Sequence, residues 1–223
     1  MSSGNVYERL LKQIAAVLKM VVDGKRDPER VSRMLQAIID GRSREELLDG
    51  WKNFYQKFFG IDLDLSQVRI PERRQGFNRL IVVAKGLTPN QVFETCQEHF
   101  PCLRYTEDLD EITKGRNDRE PDQTYAIWVR DRQEADKELK NFSANVLKEQ
   151  GISGITLTER LLLELNYWSE TGQHLDLRNW TLCSGSCDYE GDVPDVHWDW
   201  RLEVGWSSSQ EASPRLRARA VVS

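Results

Sequence analysis

Along the first sixty positions the apolar residues recur at steps of three and four. Val6, Leu10, Ile14, Val17, Leu18 and Val21 make one stripe of a helix that Asp23-Gly24 closes. Asp27 then reads as an N-cap with Pro28 at the first helical position, and Val31, Leu35, Ile38 and Ile39 face one way until Gly41. Ser43-Arg44-Glu45-Glu46 is a capping box that opens a third helix with Leu47, Leu48, Trp51, Phe54, Tyr55 and Phe58 on one face. Three capped amphipathic helices predict a small helical module over residues 1–60, able to dock on a partner or on a second copy. Residues 61–74, with Pro71 and a charged cluster, read as a connector.

Beyond residue 75 the pattern becomes mixed. Leu80–Val83 is a short β-branched run, hence a buried strand, and Tyr125–Val129 is a second. Thr88, Pro89 and Gln91 supply an N-cap, a first-turn proline and a capping-box glutamine for a helix to about His99. Residues 107–123 are almost wholly polar and predict a solvated, flexible loop. Short helical turns follow at Ala135–Leu139 and Ser143–Glu149. A further capping box, Thr156 to Glu159, opens a helix that runs through Trp168 to Thr171-Gly172.

After Trp180 the period drops to two. Val196, Trp198, Trp200, Leu202, Val204 and Trp206 alternate with Asp195, His197, Asp199, Glu203, Gly205 and Ser207, as half-buried antiparallel strands do. Trp198, Trp200, Val204, Trp206 and Leu216 are therefore expected to be buried, and Asp195, His197, Asp199 and Ser207 exposed on one face. Leu216, Ala218, Ala220 and Val222 alternate with Arg215, Arg217 and Arg219, which predicts a last strand with a solvated arginine face. The fold class is α+β, with a C-terminal antiparallel meander.

Composition narrows the function. Of 223 residues, 39% are hydrophobic and 30% charged, which excludes disordered, collagen-like and coiled-coil-only chains. The net charge of -5 disfavours a phosphate-dominated nucleic-acid binder, in spite of Arg73-Arg74. No apolar run reaches the roughly 18 residues of a membrane span, and the opening residues lack the pattern of a signal peptide, so a soluble cytoplasmic protein is expected. Cys96, Cys102, Cys183 and Cys187 lack the C-x2-C spacing of zinc sites, and His99, His174 and His197 have no partners at recognisable spacing. Neither a metal, a cofactor nor a catalytic residue is predicted.

Several segments carry a resemblance. Leu182-Cys183-Ser184-Gly185-Ser186, the paired Trp strands and the closing Leu216–Val222 resemble the C-type-lectin-like fold in its formylglycine-generating-enzyme-like branch, over about residues 75–223. IPERRxGF, LIVVAxGLTPNQV, ITLxERLLLEL, SETGxHLD and LCSGS resemble a family of hypothetical proteins from candidate-phylum (Parcubacteria-like) bacteria, over nearly the whole chain. Residues 183–223 are similar to the variable segment of diversity-generating retroelement target proteins. That resemblance implies a non-catalytic scaffold that binds a ligand, expected to be a protein, through a mutagenised surface. The implied ligand-binding residues are Asp188, Tyr189, Asp192, Asp195, His197, Asp199, Gly205, Ser207, Ser208, Ser209 and Ser213. Adenine-directed mutagenesis of Asn codons reaches Asp, His, Gly and Ser but not Glu or Gln, so Glu203, Gln210 and Glu211 interrupt the patch. The alternatives are an oxidase related to that branch, using Cys183 and Cys187, and an adaptor or structural protein.

Overall fold

The computed structural model describes residues 3–39 and 44–223, which fall into two compact units, Met1–Gly50 and Trp51–Ser223. In the smaller unit, α1 (Ser3–Val22) ends at Gly24, whose φ of 67° few other residues adopt readily. α2 (Pro28–Ile39) starts where Asp27 Oδ1 accepts from the Glu29 amide. The expected Gly41 stop and the Ser43 capping residue lie outside the described residues. α3 (Arg44–Phe59) contains the division between the units. The expected boundary after residue 60 thus moves to Gly50, for a packing reason: Trp51 Nε1 donates to the Leu80 carbonyl and the fully buried Tyr55 hydroxyl donates to that of Val82 at 2.8 Å. The aromatic face of α3 belongs to the core of the larger unit.

That larger unit is α+β. β1 (Arg79–Val83) pairs antiparallel with β3 (Tyr125–Val129), with Ile81 opposite Ile127. Between them lie α4 (Pro89–Gln97), with both halves of the Thr88–Gln91 capping box formed, and β2 (Cys102–Arg104). The polar stretch 107–123 is anchored rather than loose. Asp108 caps a short helix, α5 (Leu109–Thr113), Leu109 is fully buried, and Arg119 forms an ion pair with buried Glu159. α6 (Ala144–Glu149) follows its Ser143 cap, and α7 (Leu157–Thr171) follows a complete Thr156–Glu159 capping box.

The C-terminal third supplies β4 (Trp180–Leu182), β5 (Val193–Trp198), β6 (Leu202–Ser207) and β7 (Leu216–Ala218). Together with β2 they form one sheet in the order β2-β6-β5-β4-β7. Only its middle is antiparallel: β7 runs parallel to β4 and β2 parallel to β6. The expectation of a wholly antiparallel meander is corrected to that extent, since a parallel partner needs a long crossover that alternation alone cannot reveal. Val222 donates to the Trp128 carbonyl at 2.9 Å and so ties the end of the chain to the other sheet. Among the described residues, no helix is long and apolar enough to cross a membrane.

Candidate functional site

The strand register confirms which residues share a face. Val196 lies opposite Val204 and Trp198 opposite Leu202, whereas Asp195 lies opposite Gly205 and His197 opposite Glu203. Environment is another matter. Asp195 and Ser207 are 4% and 5% exposed, not open to solvent as expected, and Ser207 Oγ donates to Asp195 Oδ2 at 2.8 Å. A side chain at Gly205 would meet Asp195 Oδ1, so the carboxylate lies across that glycine. Burial pushes the Asp195 carboxyl up to about 6, with Ser207 pulling the other way. His197 is half-buried, stacked on Trp180 with ring centroids 4.5 Å apart, and burial lowers its basicity.

The opposite face also departs from expectation at its tryptophans: Val204 is buried, but Trp198 and Trp206 are only half-buried. Leu216 is buried as expected but, paired with Trp180, lies on the His197 face. Trp198 stacks on His174, and Trp206 Nε1 donates to Thr106 Oγ1 at 2.8 Å. Trp200 is 66% exposed because it sits in the β5–β6 turn at φ 53°, where its ring lies under the Arg201 guanidinium. A turn residue does not continue the alternation of the strands on either side of it.

The remaining predicted residues lie in two loops or beside them. Asp188 Oδ1 accepts from the amides of Glu190 and Asp192 and so closes the first loop, leaving Tyr189 at its exposed tip. In the second loop Ser208 is exposed, while Ser209 and Ser213 are half-buried. Asp199 is exposed in the β5–β6 turn, and Gly205 is half-buried within β6.

Both loops border a cleft of about 470 Å³. Leu147, Ile152 and Val193 contribute apolar lining, and Cys187, Gly191 and Ser209 come from these two loops. Backbone bonds hold these edges: the Cys187 amide donates to the Arg116 carbonyl and the Asn145 amide to that of Ser209. Arg116 and Lys148 bring positive charge and Asp118 a carboxylate. Sequence reasoning missed these three. They come from the polar stretch and from α6, far from the loops in sequence and without a motif of their own.

The Ser184-Gly185-Ser186 segment forms one wall of the cleft and owes its composition to packing. A side chain on Gly185 would sit 2.6 Å from the Gly154 carbonyl, and one on Gly154 would strike Ser184 Oγ. Ser186 Oγ accepts from the Leu157 amide at 2.9 Å and donates to Asn117 Oδ1, so the segment caps the start of α7.

A second polar cluster is fully enclosed. Asp176 lies between Arg160 and Arg219, each at 2.8 Å, and also accepts from Thr181 and from the Ala135 amide. Arg160 reaches Glu164, which is bonded in turn to His174 Nδ1 at 2.9 Å. Arg219 is 1% exposed, which overturns the expected solvated arginine face at that position. Burial alone would raise the Asp176 carboxyl, but the two guanidinium groups and Thr181 hold it below the ordinary range. With its carboxylates and guanidinium groups enclosed and engaged, and the half-buried His174 at its edge, the cluster has a structural character.

All four cysteines are free. Burial raises the Cys96 and Cys183 thiols and pushes Cys102 up to about 12. Cys187 is raised as well, with burial and Asp188 outweighing Arg116 and Lys148. Thiols so shifted are poor nucleophiles and poor metal ligands near neutral pH. Among the described residues, no group of three or more His, Cys, Asp or Glu could hold a metal ion. No protein-family model, curated protein or solved structure matches the chain.

Proposed function

We propose that the larger unit is a non-catalytic, protein-binding scaffold of C-type-lectin-like type, the target protein of a diversity-generating retroelement. The observation that carries this reading is the cleft flanked by the Cys187–Asp192 and Ser207–Ser213 loops. Its edges are held partly by backbone bonds from Cys187 and Asn145, which survive side-chain replacement. The displayed set contracts to Tyr189, Asp192, Asp199, Ser208, Ser209 and Ser213, flanked by half-buried His197 and Gly205. Asp188 holds its own loop turn, and Asp195 and Ser207 support the sheet from within. Raised thiol pKa values at Cys183 and Cys187 weigh against the oxidase alternative. Four free cysteines fit a reducing, cytoplasmic setting.

Sequencing the segment that encodes residues 183–223 across cells of one population tests the proposal. Adenine-directed changes are expected at Tyr189, Asp199, Ser208 and Ser209, with Gly185 and Arg219 constant. Uniform codons throughout, with no near-copy of the segment beside a reverse-transcriptase gene, would remove the retroelement reading.

A further inference from the structure

The side chains of the smaller unit whose burial is described are mostly exposed. Among its described residues only Val31 and Leu48 are buried. Eight of the thirteen large apolar side chains exposed among the described residues lie on α1, Leu11 at 67% and Leu18 at 48% among them. Patches of that kind on soluble proteins mark interaction surfaces.

The spacing on α1 specifies the kind of partner. Tyr7, Leu11, Ile14, Leu18 and Val21 follow one another at steps of four, three, four and three, the 3.5-residue repeat that keeps a seam facing another helix. Ile14 and Val21 are half-buried, yet Tyr7, Leu11 and Leu18 stay exposed. Glu8, Leu10, Ala15, Val17 and Val22 flank the seam, and one charge among the five sets no pattern that selects a different chain. That Glu8 is paired with Lys12 at 2.6 Å, so the polar side does not present an unbroken basic strip to anionic lipid. Tyr7, Leu10, Leu11, Val17, Leu18 and Val22 lie on the seam side, a stripe that runs the length of α1 and can supply much of the ~800 Å² per partner of a stable interface.

We infer that α1 is a self-association surface whose occupant is α1 of a second copy, the two α1–α2 pairs combining as a four-helix bundle. A helix pair with an exposed apolar stripe can gain a second layer from its own duplicate. This inference is independent of the ligand-binding proposal.

Sedimentation velocity of the full chain at 1–50 μM, protein concentrations of roughly the range where such interfaces assemble, tests it. A dimer is expected for the parent, and Leu11→Glu/Leu18→Glu should weaken it at least about a hundredfold. Because that variant can unwind α1, Ile14→Cys provides a second reading. Midway along the seam, it should form a disulfide-linked dimer under oxidation whether the helices run parallel or antiparallel, whereas Lys12→Cys on the opposite side and the parent should not. A monomeric parent over the whole range, a dimer that survives the double Glu variant, or equal crosslinking through Lys12→Cys would each overturn the inference. So would a monomer that binds vesicles containing phosphatidylserine, which would assign the stripe to lipid.

Discussion

The two faces of the five-stranded sheet treat buried charge in opposite ways. On one, Thr181 and Arg219 meet Asp176 and Arg160, so each enclosed carboxylate oxygen has cationic or hydroxyl partners. On the other, Asp195 is nearly as enclosed but has one neutral donor, Ser207, with Glu203 and Glu211 adding repulsion. Burial is therefore compensated on the first face and only partly so on the second. The first behaves as a fixed frame. The second keeps a carboxylate whose ionisation opposes folding.

The largest expected effect removes the compensation. Arg219→Met leaves Asp176 with Arg160 as its one cation and takes the guanidinium from the carbonyls of Arg132 and Gln133, and should cost about 3–5 kcal/mol in a denaturant melt. A loss below 1 kcal/mol would mean that the two faces do not differ as described.

Asp195→Asn should act in the opposite direction. Its folded pKa, raised from 3.8 to about 6, means that the folded state holds the proton more tightly. Stability from this group is therefore greatest below about pH 4 and falls as pH rises to 6. Ionisation then costs up to about 3 kcal/mol at pH 7, an upper bound for a carboxylate this buried. Asp195→Asn should stabilise the protein at pH 7 and flatten its stability between pH 4 and 6. An unchanged pH profile would contradict the assignment.

Ser207→Ala removes the sole hydroxyl donor to Asp195 and should destabilise by about 1–2 kcal/mol at pH 7. Ser208→Tyr and Asp199→Asn, at exposed positions, should each stay within about 0.5 kcal/mol in thermal melts. A cost at Ser208 equal to that at Ser207 would erase the distinction between supporting and displayed positions.

Local signals foretold local structure well. The Thr88–Gln91 and Thr156–Glu159 capping boxes form in full, because every partner lies within four residues. Period two correctly sorted β5 and β6 into two faces, since the pleat fixes which side chains point together. It could not tell what covers each face. Asp195 and Ser207 are buried although their strand neighbours are spaced as if one face were wet. Arg219 looks like a solvated arginine until Asp176, over forty residues earlier, is brought against it. The cleft was half legible: residues of its bordering loops, such as Ser209, were among those the resemblance implied, whereas Arg116 and Lys148 arrive through tertiary packing alone.

The bridge between Trp128 and Val222 sets an order on biosynthesis. β1 and β3 can pair once Val129 has left the ribosome, but the backbone of Trp128 waits for a partner made roughly ninety residues later, some 5–20 s at typical elongation rates. Arg219 arrives in the same stretch, so Asp176, made about forty residues earlier, has Arg160 as its one cation until then. Closure of the larger unit is thus a late event among non-local contacts, the kind that forms slowly.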